Sequence, residues 1–93
     1  MDFIETAPVS KRAKRCLHEF ADDHRLRSPE EMIEFLEASQ TRKQNWHLQR
    51  KYNLPPTYEV SNLTALMRVR GVGIMTAKEI LTWLDLDDLA AKL

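Results

Sequence analysis

The sequence predicts an all-α protein, a compact bundle of five to seven short helices. Three observations carry that expectation. The 93 residues hold only two glycines, Gly71 and Gly73, and four prolines, so helix breakers are scarce. Leu, Glu, Lys, Arg and Ala, all good helix formers, are abundant. No stretch sustains the period-two alternation rich in Val, Ile and Thr that marks a half-buried strand.

Each helix has a local warrant. Residues 1–9 read as a short, loosely held, flexible N-terminal arm. Ser10 can cap a first helix to about Leu26, with Ala13, Cys16, Leu17, Phe20 and Ala21 as its apolar stripe. Its opening residues Lys11, Arg12, Lys14 and Arg15 oppose the positive end of the helix dipole, which calls for exposure or an anionic partner. Ser28-Pro29-Glu30-Glu31 sets an N-cap, a proline in the first helical position and a capping-box glutamate. Met32, Ile33, Phe35 and Leu36 then bury one face of a helix ending near Ser39.

Thr41 and Gln44 form a second capping-box pattern, and the spacing predicts a helix to about Tyr52 with Leu48 and Tyr52 facing the core. Arg42, Lys43, Trp46 and Arg50 would share the opposite arc, at about 100° per residue. Pro55-Pro56 breaks the chain, and Pro56 is expected to start a short helix through Ser61. Asn62 can cap the next, to about Val69. After Arg70-Gly71-Val72-Gly73 comes a helix from Ile74 to Leu84, and Asp85 or Asp87 opens a last one through Ala91. The expected organisation is a single domain over 10–93. It comprises a degenerate hairpin unit (10–38), structural only because its turn Asp22-Asp23-His24 is acidic and lacks glycine, basic connecting helices (41–61) and a well-formed hairpin unit (63–93).

Charge is segregated. Lys+Arg and Asp+Glu each number 14, for a net charge of zero. Residues 38–78 nevertheless hold seven basic groups against Glu59 alone, while 1–37 and 79–93 each carry a net −3. Such asymmetry says more about partners than the total does. The remaining composition excludes several classes. No apolar run approaches the ~20 residues of a membrane span, and Met1–Pro8 lacks the pattern of a secretory signal. The lone Cys16 suits a reducing cytosol. His18, His24, His47 and Cys16 lack metal-ligand spacing, so no metal or other cofactor is expected. The acidic clusters Glu30/Glu31/Glu34/Glu37 and Asp85/Asp87/Asp88 suit helix first turns or solvent. With no nucleophile set and no carboxylate pair beside a base, an enzyme is not expected.

The stretch from Leu66 to Leu81 resembles a helix-hairpin-helix motif: apolar residues at set offsets, Gly71-Val72-Gly73, then the small Ala77 four positions on. Gly71 and Gly73 permit a tight turn, Val72 pins it to the core, and Ala77 lets the two helices approach. The amides of the turn and of the next helix's first turn lack internal partners and converge with the positive helix end. In the family such a corner binds a nucleic-acid phosphate without reading bases. More broadly, Phe35–Leu93 is similar to an uncharacterised bacterial family of tandem, partly degenerate helix-hairpin-helix units. The carrying segments are Phe35-Leu36-Glu37-Ala38, Thr41 to Leu48, Leu66 to Gly73, and Asp88-Leu89-Ala90.

The resemblance implies DNA binding without sequence preference, most simply to the duplex phosphate backbone; the lone cysteine makes the cytoplasm the expected location. Gly71, Val72, Gly73, Thr76, Lys78, Arg68 and Arg70 would form the phosphate site. Arg42, Lys43, Trp46 and Arg50 would be a secondary basic face, unless Trp46 packs beneath a neighbouring helix. Two departures stand out. Ile74 and Met75 replace the proline or cationic residues that many DNA-binding hairpins carry there, and Glu79 adjoins Lys78. The zero net charge and Ile74-Met75 favour the alternative of a protein-interaction or self-association module in which hairpins only pack. A membrane partner is not expected.

Overall fold

The computed structural model describes residues 2–93, and within them six helices and two strands alternate in the order α1 (Lys11–His24), α2 (Pro29–Glu37), β1 (Ser39–Lys43), α3 (Trp46–Tyr52), β2 (Thr57–Ser61), α4 (Leu63–Met67), α5 (Ile74–Trp83) and α6 (Asp87–Ala90). The fold is therefore mixed rather than all-α: β1 and β2 pair as an antiparallel ribbon, in register Ser39↔Ser61 through Lys43↔Thr57.

The helical body forms where the local signals are strongest. Ser10 accepts from the Ala13 amide and Ser28 from the Glu31 amide, so both expected caps are made. The Glu31 carboxylate reaches the Arg27 amide, one residue before the cap. Ala13, Cys16, Leu17, Phe20 and Ala21 are buried at helical spacing along α1. With Met32, Leu36, Leu66, Ile80 and Leu81 they make one core, in which Phe20 meets Phe35 edge-on with ring centroids 5.6 Å apart. Asp22, Asp23 and His24 belong to the last turn of α1, so the α1–α2 turn lies at 25–28 instead.

Residues 2–9 are not a loose arm. Ile4 and Ala7 are buried, Phe3 stacks on Trp83 at 6.2 Å, and Glu5 binds His18 by its carboxylate and Lys14 by its carbonyl. Met1 lies outside the described residues.

The segment expected to be two basic helices is an arm. Thr41 does not cap a helix; its hydroxyl donates across the ribbon to Glu59 at 2.7 Å, beside Ser39 at 2.9 Å. Asn45 caps α3 instead, accepting from the His47 and Leu48 amides. Pro56 precedes a strand, not a helix, and its carbonyl accepts from the Gln44 amide to close the ribbon's outer end. No residue from 37 to 61 is buried. Leu48 and Tyr52, expected in the core, lie in solvent. Asn62 fixes the arm's root. Buried, it caps no helix; its side-chain amide donates to the Phe35 carbonyl at 2.9 Å and its backbone amide to Ala38 at 3.0 Å. The molecule measures 50 × 24 × 22 Å, the elongation expected of a helical body with a projecting ribbon.

Candidate nucleic-acid interface

Residues 68–73 turn the chain from α4 into α5. The Val69 amide donates to the Leu66 carbonyl and the Val72 amide to the Val69 carbonyl, both at 3.1 Å, winding the corner tightly. Gly71 has φ +91°, a conformation that side-chain-bearing residues rarely adopt. Val69 is buried and Val72 half-buried against the core, while Ala77 is fully buried where α5 crosses the body. The corner rests on α1, where the Cys16 thiol points at the Arg70 carbonyl at 3.9 Å. Burial is the main cause that pushes the Cys16 thiol above its ordinary pKa, so it stays a protonated packing group.

Gly73 is the N-cap of α5 and differs from Gly71 in a telling way. Its backbone is extended, a conformation open to any residue, and a Cβ there would meet nothing within 4 Å. Neither packing nor backbone geometry requires a glycine. Its chemical effect is to supply no capping oxygen. The first helical bond of α5 runs from the Ala77 amide to the Gly73 carbonyl, leaving the amides of Gly73, Ile74, Met75 and Thr76 without partners among the described residues. Gly71 and Gly73 are exposed, as are Ile74 at 55% and Met75 at 80% of their full areas, so the corner lies at the surface.

Cations surround the corner. Arg68, Arg70 and Lys78 are exposed, and Thr76 is half-buried beside them. Met75, Thr76, Lys78 and Thr82 line part of a groove of about 520 Å³ along α5. Glu79, also on that groove, is engaged elsewhere: its carboxylate accepts from the Ser10 amide and, at 3.3 Å, from the Ser10 hydroxyl. It thereby supplies the anion that the basic first turn of α1 lacks.

Arg42 joins this region by an unexpected route. On β1 it alternates to the ribbon face that carries Gln40, Tyr58 and Val60. There Arg42 and Arg68 flank one cleft between the ribbon and α4, whose other walls include Gln40, Val60, Asn62 and Thr64 and no carboxylate. Glu59, the only acid of the basic segment, sits on the opposite ribbon face. Hydrogen bonds from the Thr41 and Ser39 hydroxyls hold its carboxyl below the ordinary pKa.

The secondary basic face does not exist as one helical arc. Arg42 and Lys43 are strand residues, and only Trp46 and Arg50 are on α3, with the Arg50 guanidinium 4.8 Å from the Trp46 ring centroid. Trp46 is 59% exposed and so is not packed beneath a neighbouring helix. Sequence reasoning also missed Lys51 stacked over Tyr52 at 5.3 Å, and the exposure of Leu48, Leu54 and Tyr58.

Among the described residues no group of acids, histidines and cysteine could hold a metal ion, and no helix is long and apolar enough to cross a membrane. Compared with models of protein families, with curated proteins and with solved structures, the chain finds no match.

Proposed function

We propose that this chain binds duplex DNA through its phosphate backbone without reading sequence, and that the α4–α5 corner is the helix-hairpin-helix its sequence resembles. The observation that carries this reading is the run of unpartnered amides from Gly73 to Thr76, three of whose four residues are exposed. Converging amides at a helix N-terminus favour an anion, and the flanking Arg68, Arg70 and Lys78 add attraction of the same sign. Arg42, sharing a cleft with Arg68, extends the cationic surface onto the arm's root. A phosphate held this way is positioned rather than read. A cytosolic setting fits the lone, buried Cys16.

The direct test is fluorescence anisotropy with labelled duplexes of unrelated sequence at low salt. Dissociation constants should fall within the ~10⁻⁴–10⁻⁶ M range of non-specific binding and weaken with salt by about 0.9 log units per log unit for each phosphate neutralised. Lys78→Ala combined with Arg70→Ala should weaken binding equally on every duplex and lower that slope by about one per cation removed. Binding that is absent at low salt, or that differs strongly between sequences, refutes the proposal.

A further inference from the structure

The arm raises a question the DNA reading does not answer. A two-stranded ribbon is marginally stable by itself in water, and this one buries nothing. At and beside its outer end it exposes five large hydrophobic side chains, Trp46, Leu48, Tyr52, Leu54 and Tyr58. Exposed apolar area of that extent, spread over both arcs of α3, marks an end that something covers. The residues around it limit what the partner can be. Lys43, Arg50 and Lys51 are the charges at this end, two of them stacked on Trp46 and Tyr52, with no carboxylate beyond Glu59. The partner surface should therefore combine apolar area with negative charge.

The body of the same chain carries such a surface. Glu30, Glu34 and Glu37 line a groove of about 510 Å³ with Ile33 and Ala38. Glu37 is shared with a second groove, lined by Asp85, Asp88, Leu86 and Leu89. Five carboxylates and three large aliphatic side chains thus border two adjoining grooves, and no cation lines either. The arm cannot reach them within its own molecule. Glu37 and Ala38 immediately precede β1 at the arm's root, while α3 sits beyond a five-residue ribbon, about 17 Å out.

We propose that the arm is a self-association element: the cationic, aromatic end of one copy's arm seats in the carboxylate-lined grooves of a second copy, reciprocally. A reciprocal exchange about a two-fold axis closes as a dimer rather than a filament. It covers the apolar cluster and sets Arg50 and Lys51 against Glu34 and Glu37. It leaves the α4–α5 corner of each copy uncovered and does not depend on what that corner binds.

Sedimentation equilibrium of the full chain tests this through charge exchange. The wild type should form a dimer that weakens with salt. Arg50→Glu with Lys51→Glu reverses the arm, and Glu30→Lys with Glu34→Lys and Glu37→Lys reverses the grooves; each variant alone should be a monomer. Mixed in equal amounts they should dimerise again, because each arm then meets a groove of opposite charge. Trp46→Ala with Tyr52→Ala, which leaves every charge in place, should weaken the dimer about tenfold or more. Circular dichroism establishes that each variant is folded. A wild type that stays monomeric at every concentration, a dimer indifferent to both reversals, or a mixture that stays monomeric overturns the proposal. Loss of DNA affinity in the arm variants of a protein that is always monomeric also overturns it and assigns the arm to nucleic acid.

Discussion

Replacing Gly73 with serine or aspartate separates what the fold needs from what a phosphate site needs. The backbone there is extended and the added Cβ has open space, so neither substitution strains the corner. An oxygen at that N-cap would accept from an α5 first-turn amide, as Ser10 does from Ala13 and Ser28 from Glu31 in this same chain. Glycine is itself a fair cap, so serine should stabilise by only a few tenths of a kcal/mol. That corresponds to roughly 1–3 °C in Tm for a domain of this size. Aspartate adds a charge at the positive helix end, about 0.3–1 kcal/mol more. DNA affinity should move the other way. Serine occupies an amide that would otherwise meet phosphate, and a hydrogen bond to a charged group is worth about 1.5–3 kcal/mol, roughly ten- to a hundredfold in affinity. Aspartate adds repulsion and should abolish measurable binding. Thermal unfolding followed by circular dichroism and DNA anisotropy on the same samples give both readings. Variants that gain stability yet bind DNA like the wild type would show that the amides of α5 are not where phosphate sits.

Three further outcomes follow from the same geometry. Gly71→Ala forces a side chain into φ +91° and should cost about 1–2 kcal/mol in chemical denaturation, although the added Cβ would meet only Cys16 Sγ, at an ordinary contact distance of 3.9 Å. Phe20→Ala empties the centre of the core and should cost about 3–5 kcal/mol, enough to leave much of the chain unfolded at moderate temperature. The Glu59 carboxyl has a lowered pKa because the Thr41 and Ser39 hydroxyls donate to its charged form. Its contribution to the ribbon is therefore full above the ordinary carboxylate range and is lost as pH falls through the lowered value. Amide chemical shifts of Thr41 and Glu59 should titrate there and be flat in Glu59→Gln.

The helical body was legible because its signals are local. Ser10, Ser28 and Pro29 announce helix starts within a single turn, and Cys16, Leu17, Phe20, Met32 and Leu36 repeat at helical spacing because one face of each helix is buried. The α4–α5 corner was legible for a related reason, since Gly71 is required by its own φ and Ala77 by its own burial. The ribbon was not. Alternation appears in a strand when one face is buried and the other wet, and here both faces of Ser39–Lys43 are wet, so the pattern that announces a strand is missing. Thr41 made matters worse. Thr-x-x-Gln reads as a capping box from sequence, yet its hydroxyl is claimed by Glu59, 18 residues away, an interaction no local window contains. Asn62 misled similarly: a residue suited to capping α4 is instead buried as a clamp on Phe35.

The neutral total charge argues against a nucleic-acid partner only if the acids lie among the bases, and two acids that adjoin those bases in sequence, Glu59 and Glu79, are held elsewhere. Glu59 lies on the ribbon face opposite Arg42 and is held by two hydroxyls of that face. Glu79 adjoins Lys78 in sequence but is drawn to Ser10, where it offsets Lys11, Arg12, Lys14 and Arg15 at the start of α1. In both cases a serine or threonine hydroxyl fixes where the negative charge resides, and among the described residues no ion pair consumes Arg42, Arg68, Arg70 or Lys78. Of the other acids, Glu30, Glu34, Glu37, Asp85 and Asp88 line the grooves rather than the corner. The chain thus separates its charge into a cationic corner and an anionic flank, an arrangement that a phosphate backbone and a second copy could engage at the same time without competing for the same residues.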